Sequence, residues 1–163
     1  MTHPAAPATT QHQLELPFQP SEAQMAVFNS WSESTLLTYV RNTAKLCGWL
    51  AYHTKFSIKS DAGFPDLCLV GAPPRQDGRL IFAELKREGK WPTEGRLSSG
   101  AAPHWIQGQK EWLEALFDTP AEVYVWWPSD AKDIAAILAD GPGMLMPCVQ
   151  RIREYVRKGR PPK

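Results

Sequence analysis

Gly63-Phe64-Pro65-Asp66-Leu67 and, after a turn, Phe82-Ala83-Glu84-Leu85-Lys86 are the two segments from which the architecture can be read. Strand alternation puts Leu80, Phe82, Glu84 and Lys86 on one face and Ile81, Ala83 and Leu85 on the other. An apolar row therefore runs straight into an acid and a base. Burying such charges is costly unless they are paired or hold a cation. Charges at the end of an otherwise core strand point to a site.

Working outward, Asp66–Val70 reads as one strand, closed by the Pro- and Gly-marked turn Gly71–Gly78, and Arg79–Lys86 reads as the next. Trp49–Thr54 is a strand before them. Ser30–Cys47 is a helix, with Glu33, Leu37, Val40, Ala44 and Cys47 at 3–4 spacing and Gly48 at its stop. Downstream come a polar loop, Arg87–Ala102, and a helix opened by Pro103 and running to Phe117. A strand over Glu122–Trp127 and a short helix over Asp130–Leu138 complete the series. The order αβββαβα describes an α/β fold. Three strands form an antiparallel meander, and the fourth, after a helical crossover, pairs in parallel with a core strand. The expectation is a mixed four-stranded sheet flanked by helices.

A chain of 163 residues, 43% hydrophobic and 21% charged, is most simply one globular domain. It has no long uncharged apolar run for a membrane span and no basic flank with an apolar core at its start, so the expected location is the cytoplasm. Cys47, Cys68 and Cys148 are odd in number and sit inside apolar segments, as small buried hydrophobes do. The expected division is a disordered tail over 1–20, a domain over 21–140 and a basic tail over 141–163. The last thirteen residues carry six basic side chains, among them Arg151, Arg153, Arg157 and Lys158, against one acid. That local +5 leaves −4 for the rest of a chain whose net charge is +1. An acidic body with a basic end fits metal in the body and phosphate at the end; on charge alone the simpler reading is a solubilising, frayed terminus.

Taken singly, Asp66 is a turn acid after Pro65, and Glu84 with Lys86 is a same-face ion pair. Taken together, they sit at one end of a hairpin where both carboxylates can meet. Phosphodiester cleavage with a hard divalent cation needs such oxygen ligands on a rigid support. Lys86, on the same side, can contact the scissile phosphate or help activate water. Gln109 shares a helical face with Trp105, Trp112, Leu113 and Leu116, where a polar group needs a partner.

These segments, with Gln109-Lys110-Glu111-Trp112-Leu113 and the run from Glu122 to Asp130, resemble the VRR-NUC domain family of the PD-(D/E)XK nuclease superfamily, over about Ser32 to Leu138. The resemblance implies a restriction-endonuclease-like core and a Mg²⁺- or Mn²⁺-dependent DNA nuclease of a bacterial or phage-infected cell, associated with the nucleoid. Its substrates would include branched, flap or junction DNA, in replication, repair or recombination. It implies that Asp66, Glu84 and the carbonyl of Leu85 ligate metal, that Lys86 is the catalytic lysine, and that Gln109 stands near metal or phosphate. Glu33 matches a further metal or water ligand of the first helix; Ser30-Trp31-Ser32-Glu33 also fits a capping box. His53, ending the first strand, either faces the same pole or is a satisfied edge histidine. Compact stand-alone relatives of this type often pair as dimers, so the resemblance also implies a homodimer.

The spacing departs from the family between Lys86 and Gln109, where a longer insertion lies. Within it Lys90, Trp91 and Arg96 combine phosphate-pairing charge with a base-stacking ring, which suits a DNA clamp. Separately, Gln13-Leu14-Glu15-Leu16-Pro17-Phe18 resembles the hexapeptide that binds bacterial sliding clamps, so Gln13, Leu14, Leu16 and Phe18 are expected contacts of such a partner; a strand packed on its own domain is the other reading. Two other functions fit parts of this pattern: a non-catalytic DNA-binding module of the same fold, and a hydrolase of small phosphate esters, which lacks a glycine-rich phosphate loop.

Overall fold

The computed structural model describes residues 21–54, 62–73, 78–99, 101–102, 104–141 and 147–158. The clamp-like peptide 13–18 lies outside them.

The α/β architecture is as expected. Strands β1 (Trp49–His53), β2 (Leu67–Gly71), β3 (Leu80–Leu85) and β6 (Glu122–Trp126) form one sheet in the order β1-β2-β3-β6. The first three pair antiparallel and β6 runs parallel to β3. Two further strands of two residues each, β4 (Arg96–Leu97) and β5 (Trp105–Ile106), make a separate hairpin. Helices α1 (Glu22–Asn29), α2 (Glu33–Leu46), α3 (Gln109–Phe117), α4 (Ala131–Asp140) and α5 (Pro147–Lys158) surround the sheet. Among the described residues no helix is long and apolar enough to cross a membrane.

Alternation along β3 divides the core in two. Ile81, Ala83 and Leu85 join Leu67 and Leu69 of β2 under Leu36, Val40 and Ala44 of α2 and Ile134, Ile137 and Leu138 of α4, all buried. On the opposite face Leu113 of α3 packs with Val123, Val125, Trp127 and Tyr155 of α5. The second face receives Phe82, Glu84 and Lys86. The α2 stripe is centred on Leu36 rather than Leu37, which is only half-buried.

Three expectations are corrected. The helix does not start at Pro103: residues 105–106 pair with 96–97, and α3 begins at Gln109, so Trp105 is not on its face. The loop 87–102 thus contains a strand of its own. The basic tail is in part a docked helix, with α5 packing against β6 and α3. It buries Cys148 in the first cluster and Tyr155 in the second, and apolar residues at helical spacing take that segment out of solvent.

Candidate active site

The β2–β3 register pairs Leu67 with Ala83. One step further toward the open end of the hairpin, Asp66 stands opposite Glu84, and on one pleat their side chains share a face. The turn before Asp66 is pinned to α3. The ring of Phe64 meets Phe82 and Trp112 edge-on at 5.8 and 5.1 Å, and Trp112 Nε1 donates to the Ala62 carbonyl at 2.9 Å. Gly63 has φ +86°, and a Cβ there would stand 2.4 Å from the Gly108 carbonyl oxygen. Only glycine lets this turn lie against the start of α3.

Asp66 Oδ2 accepts from the Leu85 amide at 2.9 Å, and the Asp66 carbonyl accepts from His53 Nδ1 at 2.9 Å and Thr54 N at 3.2 Å. His53 is therefore a satisfied edge histidine that fixes the Asp66 backbone. Glu84 is fully buried. Its Oε1 accepts from both Lys86 Nζ and Gln109 Nε2, while its Oε2 is buried with no hydrogen-bond partner. Lys86 Nζ also donates to the Leu85 carbonyl at 3.2 Å, which places that carbonyl at the same cluster. Burial and then the neighbouring Asp66 carboxylate push the Glu84 carboxyl up to about 8, with Lys86 opposing both.

Two carboxylates and a carbonyl form a set of hard oxygen donors, one of them an orphaned buried oxygen. Such a set fits Mg²⁺ or Mn²⁺, which take one or two carboxylates and keep water in the remaining positions. Among the described residues no three His, Cys, Asp or Glu side chains converge on one metal position. Glu33 accordingly is not brought to the pair. It is exposed, and its Oε1 accepts from the Arg87 amide at 3.3 Å, one residue past Lys86. Nor does it close a capping box: Ser30 is the C-cap of α1, Ser32 is the N-cap of α2, and Glu33 is the first helical residue.

Gln109 is held as it holds Glu84. Its Oε1 accepts from Thr93 N at 3.0 Å, leaving Nε2 directed at Glu84. Glu111, in the first turn of α3, accepts from Gly95 N at 2.7 Å and Gly108 N at 2.8 Å. The 93–95 loop is thereby fastened to the start of that helix. Sequence reasoning missed Thr93 and Glu111, because their roles depend on a loop folding back over a helix end sixteen residues away.

The residues expected to touch nucleic acid separate into two groups. Trp91 is committed to the fold: its ring stacks on Tyr155 at 5.3 Å and meets Trp127 at 5.0 Å. Trp127 Nε1 donates to the Lys90 carbonyl at 2.8 Å, which ties this loop to the core. Arg151 is committed as well, with Nη2 at 2.5 Å from both oxygens of buried Asp130 and its guanidinium 4.4 Å from the Trp127 ring centre. A cation so paired is not available to a phosphate. Lys90, Arg96, Arg153 and Arg157 have exposed side chains, and Lys158 is the last residue of α5. Arg96 lines a cleft of about 680 Å³ that extends past Ile106 and Gln107 to Gln109.

Comparison with protein-family models, with curated proteins and with solved structures finds no match.

Proposed function

We propose that this chain is a divalent-metal-dependent deoxyribonuclease, of the VRR-NUC type that its motifs resemble, hydrolysing phosphodiester bonds in DNA. The observation that carries the reading is the meeting of Asp66 with a buried Glu84 that has one free carboxylate oxygen. An acid pair left half-satisfied inside a core costs stability, and a site that gathers charge is its physical justification.

In this reading Asp66, Glu84 Oε2 and the Leu85 carbonyl hold Mg²⁺ or Mn²⁺. The cation, when bound, polarises a phosphoryl oxygen and makes water a better nucleophile. Gln109 fixes Glu84 Oε1 and so turns Oε2 toward Asp66. Lys86 Nζ rests on Glu84 and the Leu85 carbonyl, at the end of a side chain long enough to donate instead to a phosphate oxygen beside them. The cleft leading from Gln109 past Arg96 offers room for the strand on one side of the cleaved bond.

The test is a cleavage panel on supercoiled plasmid, blunt duplex, flap and four-way-junction DNA with Mg²⁺ or Mn²⁺. Cleavage that EDTA stops and that Asp66→Ala abolishes is the expected result. Equal residual activity in the wild type and Asp66→Ala, or salt-sensitive DNA binding with no cleavage of any substrate, sinks the reading; the second outcome would favour the binding module.

A further inference from the structure

The β4–β5 hairpin is small but firmly built. Ser98 N donates to the His104 carbonyl at 2.8 Å, His104 N donates to Ser98 Oγ at 3.0 Å, and the same hydroxyl lies 2.9 Å from His104 Nδ1. Across the ladder Leu97 faces Trp105, and Arg96 faces Ile106. The Trp105 ring is seated on Gly95, where a Cβ would stand 2.4 Å from ring carbon Cζ2. Gly95 is itself fixed by Glu111. The ring is thus positioned through a glycine contact, yet the residue remains 55% exposed.

Burying an indole is worth much to a fold. A tryptophan clamped in one orientation and left in water offers a ready-made surface instead. Its surroundings indicate the occupant. Trp105, His104 and Trp112 border a second cleft, which shares Ala62, Ile106 and Gln107 with the cleft that runs to Gln109 and Arg96. A flat ring, an exposed guanidinium on the other face of the same hairpin and a path through the joined clefts as far as Gln109, which bonds Glu84, match a polymer with alternating bases and phosphates. Stacking requires that the base be free of its complement.

We propose that the hairpin is a stacking platform for an unpaired nucleobase of the substrate, with Trp105 as the surface and Arg96, in the neighbouring cleft, as the contact to a phosphate further along the strand. The proposal rests on the nuclease reading and narrows it to DNA with a single-stranded segment beside the cleaved bond. Trp91, which the sequence suggested for this task, is occupied by Tyr155.

The experiment measures anisotropy of a labelled oligothymidine and a labelled blunt duplex with Ca²⁺ as the metal, alongside the cleavage panel. Trp105→Ala is expected to weaken oligothymidine binding about tenfold, with Trp105→Phe keeping most of the affinity. The blunt duplex should bind all three alike. Arg96→Ala should flatten the salt dependence by about one phosphate contact. Trp105→Leu keeps apolar bulk on Gly95 without an aromatic face, and is expected to lose the same affinity even where the alanine variant unfolds. Wild-type oligothymidine affinity in Trp105→Leu, or equal losses on duplex and single strand, overturns the platform. If the wild type cleaves DNA in either of those cases, the nuclease reading stands without it. A wild type that neither binds nor cleaves removes both.

Discussion

The β3–β6 pair carries a glutamate at each end, and the two are treated in opposite ways. At one end Glu122 receives Arg79 in a fork, Nε at 2.6 Å and Nη2 at 2.8 Å, and accepts the Tyr124 hydroxyl at 2.8 Å as well. Arg79 goes on to donate to the Ile137 carbonyl at 3.0 Å and lies 4.9 Å from the Trp49 ring centre. Both carboxylate oxygens there are occupied, and the group serves as a bolt between strand, helix and edge. At the other end Glu84 is more deeply buried, has two donors crowded on one oxygen and none on the other, and faces a second carboxylate. A carboxylate satisfied on every side has nothing left to bind. In the proposed reading, Glu84 Oε2 is the oxygen that would take an incoming cation once the group loses its proton.

The contrast is tested most severely by making the same change at both ends. Glu84→Gln is expected to lower cleavage by roughly 10²–10³-fold or more, since the proposed metal ligand is lost, while Glu122→Gln leaves cleavage by the folded protein near wild type. Stability should move in the opposite sense. Thermal melts should show Glu122→Gln destabilised by roughly 1–3 kcal/mol, as a partly exposed charged hydrogen-bond fork is lost. The Glu84→Gln amide can donate to Asp66 where Oε2 now has no partner, so this variant should gain on the order of 1 kcal/mol at pH 9. A Glu84→Gln protein that melts below wild type at pH 9 would mean that the two ends are alike.

The raised Glu84 carboxyl gives the next test. The unfolded chain ionises this group near 4.5, but the metal-free folded protein ionises it only near 8. Between those values the unfolded state binds fewer protons, so this group makes the folded state less stable as pH rises from about 4.5 to about 8, and adds no further slope above. A metal bound at Glu84, as proposed, would have to displace the same proton. Mn²⁺ affinity by calorimetry should therefore rise about tenfold per pH unit up to about pH 8 and then level off, with proton release detectable across buffers of different ionisation enthalpy. A pH-independent affinity would count against Glu84 as a ligand.

The smallest expected effect concerns the tether between α5 and the site. Tyr155 stacks on Trp91 and its hydroxyl donates to the Pro92 carbonyl at 3.4 Å, next to Thr93, which orients Gln109. Tyr155→Phe should leave the melting temperature within a few degrees and lower kcat a few-fold with KM little changed, because Gln109 is less well fixed over Glu84. An unchanged kcat would restrict α5 to a packing role.

How much of this was legible in the residues follows from the range of the forces involved. Period-2 alternation is local, so the residues alone place Phe82, Glu84 and Lys86 on one face, with Asp66 at the matching pole. The mixed sheet follows from the length and order of the elements in the same way. The small hairpin does not: Trp105, Gln109, Trp112 and Leu116 satisfy helical spacing, and pairing of 105–106 with 96–97 overrides it. Glu33 has the spacing of a capping box with Ser30, but Ser30 closes the preceding helix.

Strand parity and the cost of burying charge act between near neighbours, so the amino-acid order is enough to say which strand carries the acids and the lysine. Which partners those charges meet was settled by tertiary packing. It sent Arg151 to Asp130 and Trp91 to Tyr155, set Thr93 behind Gln109, and left Trp105 on the surface. Each of these choices depends on segments far apart in the chain packing side by side, and no local pattern records that.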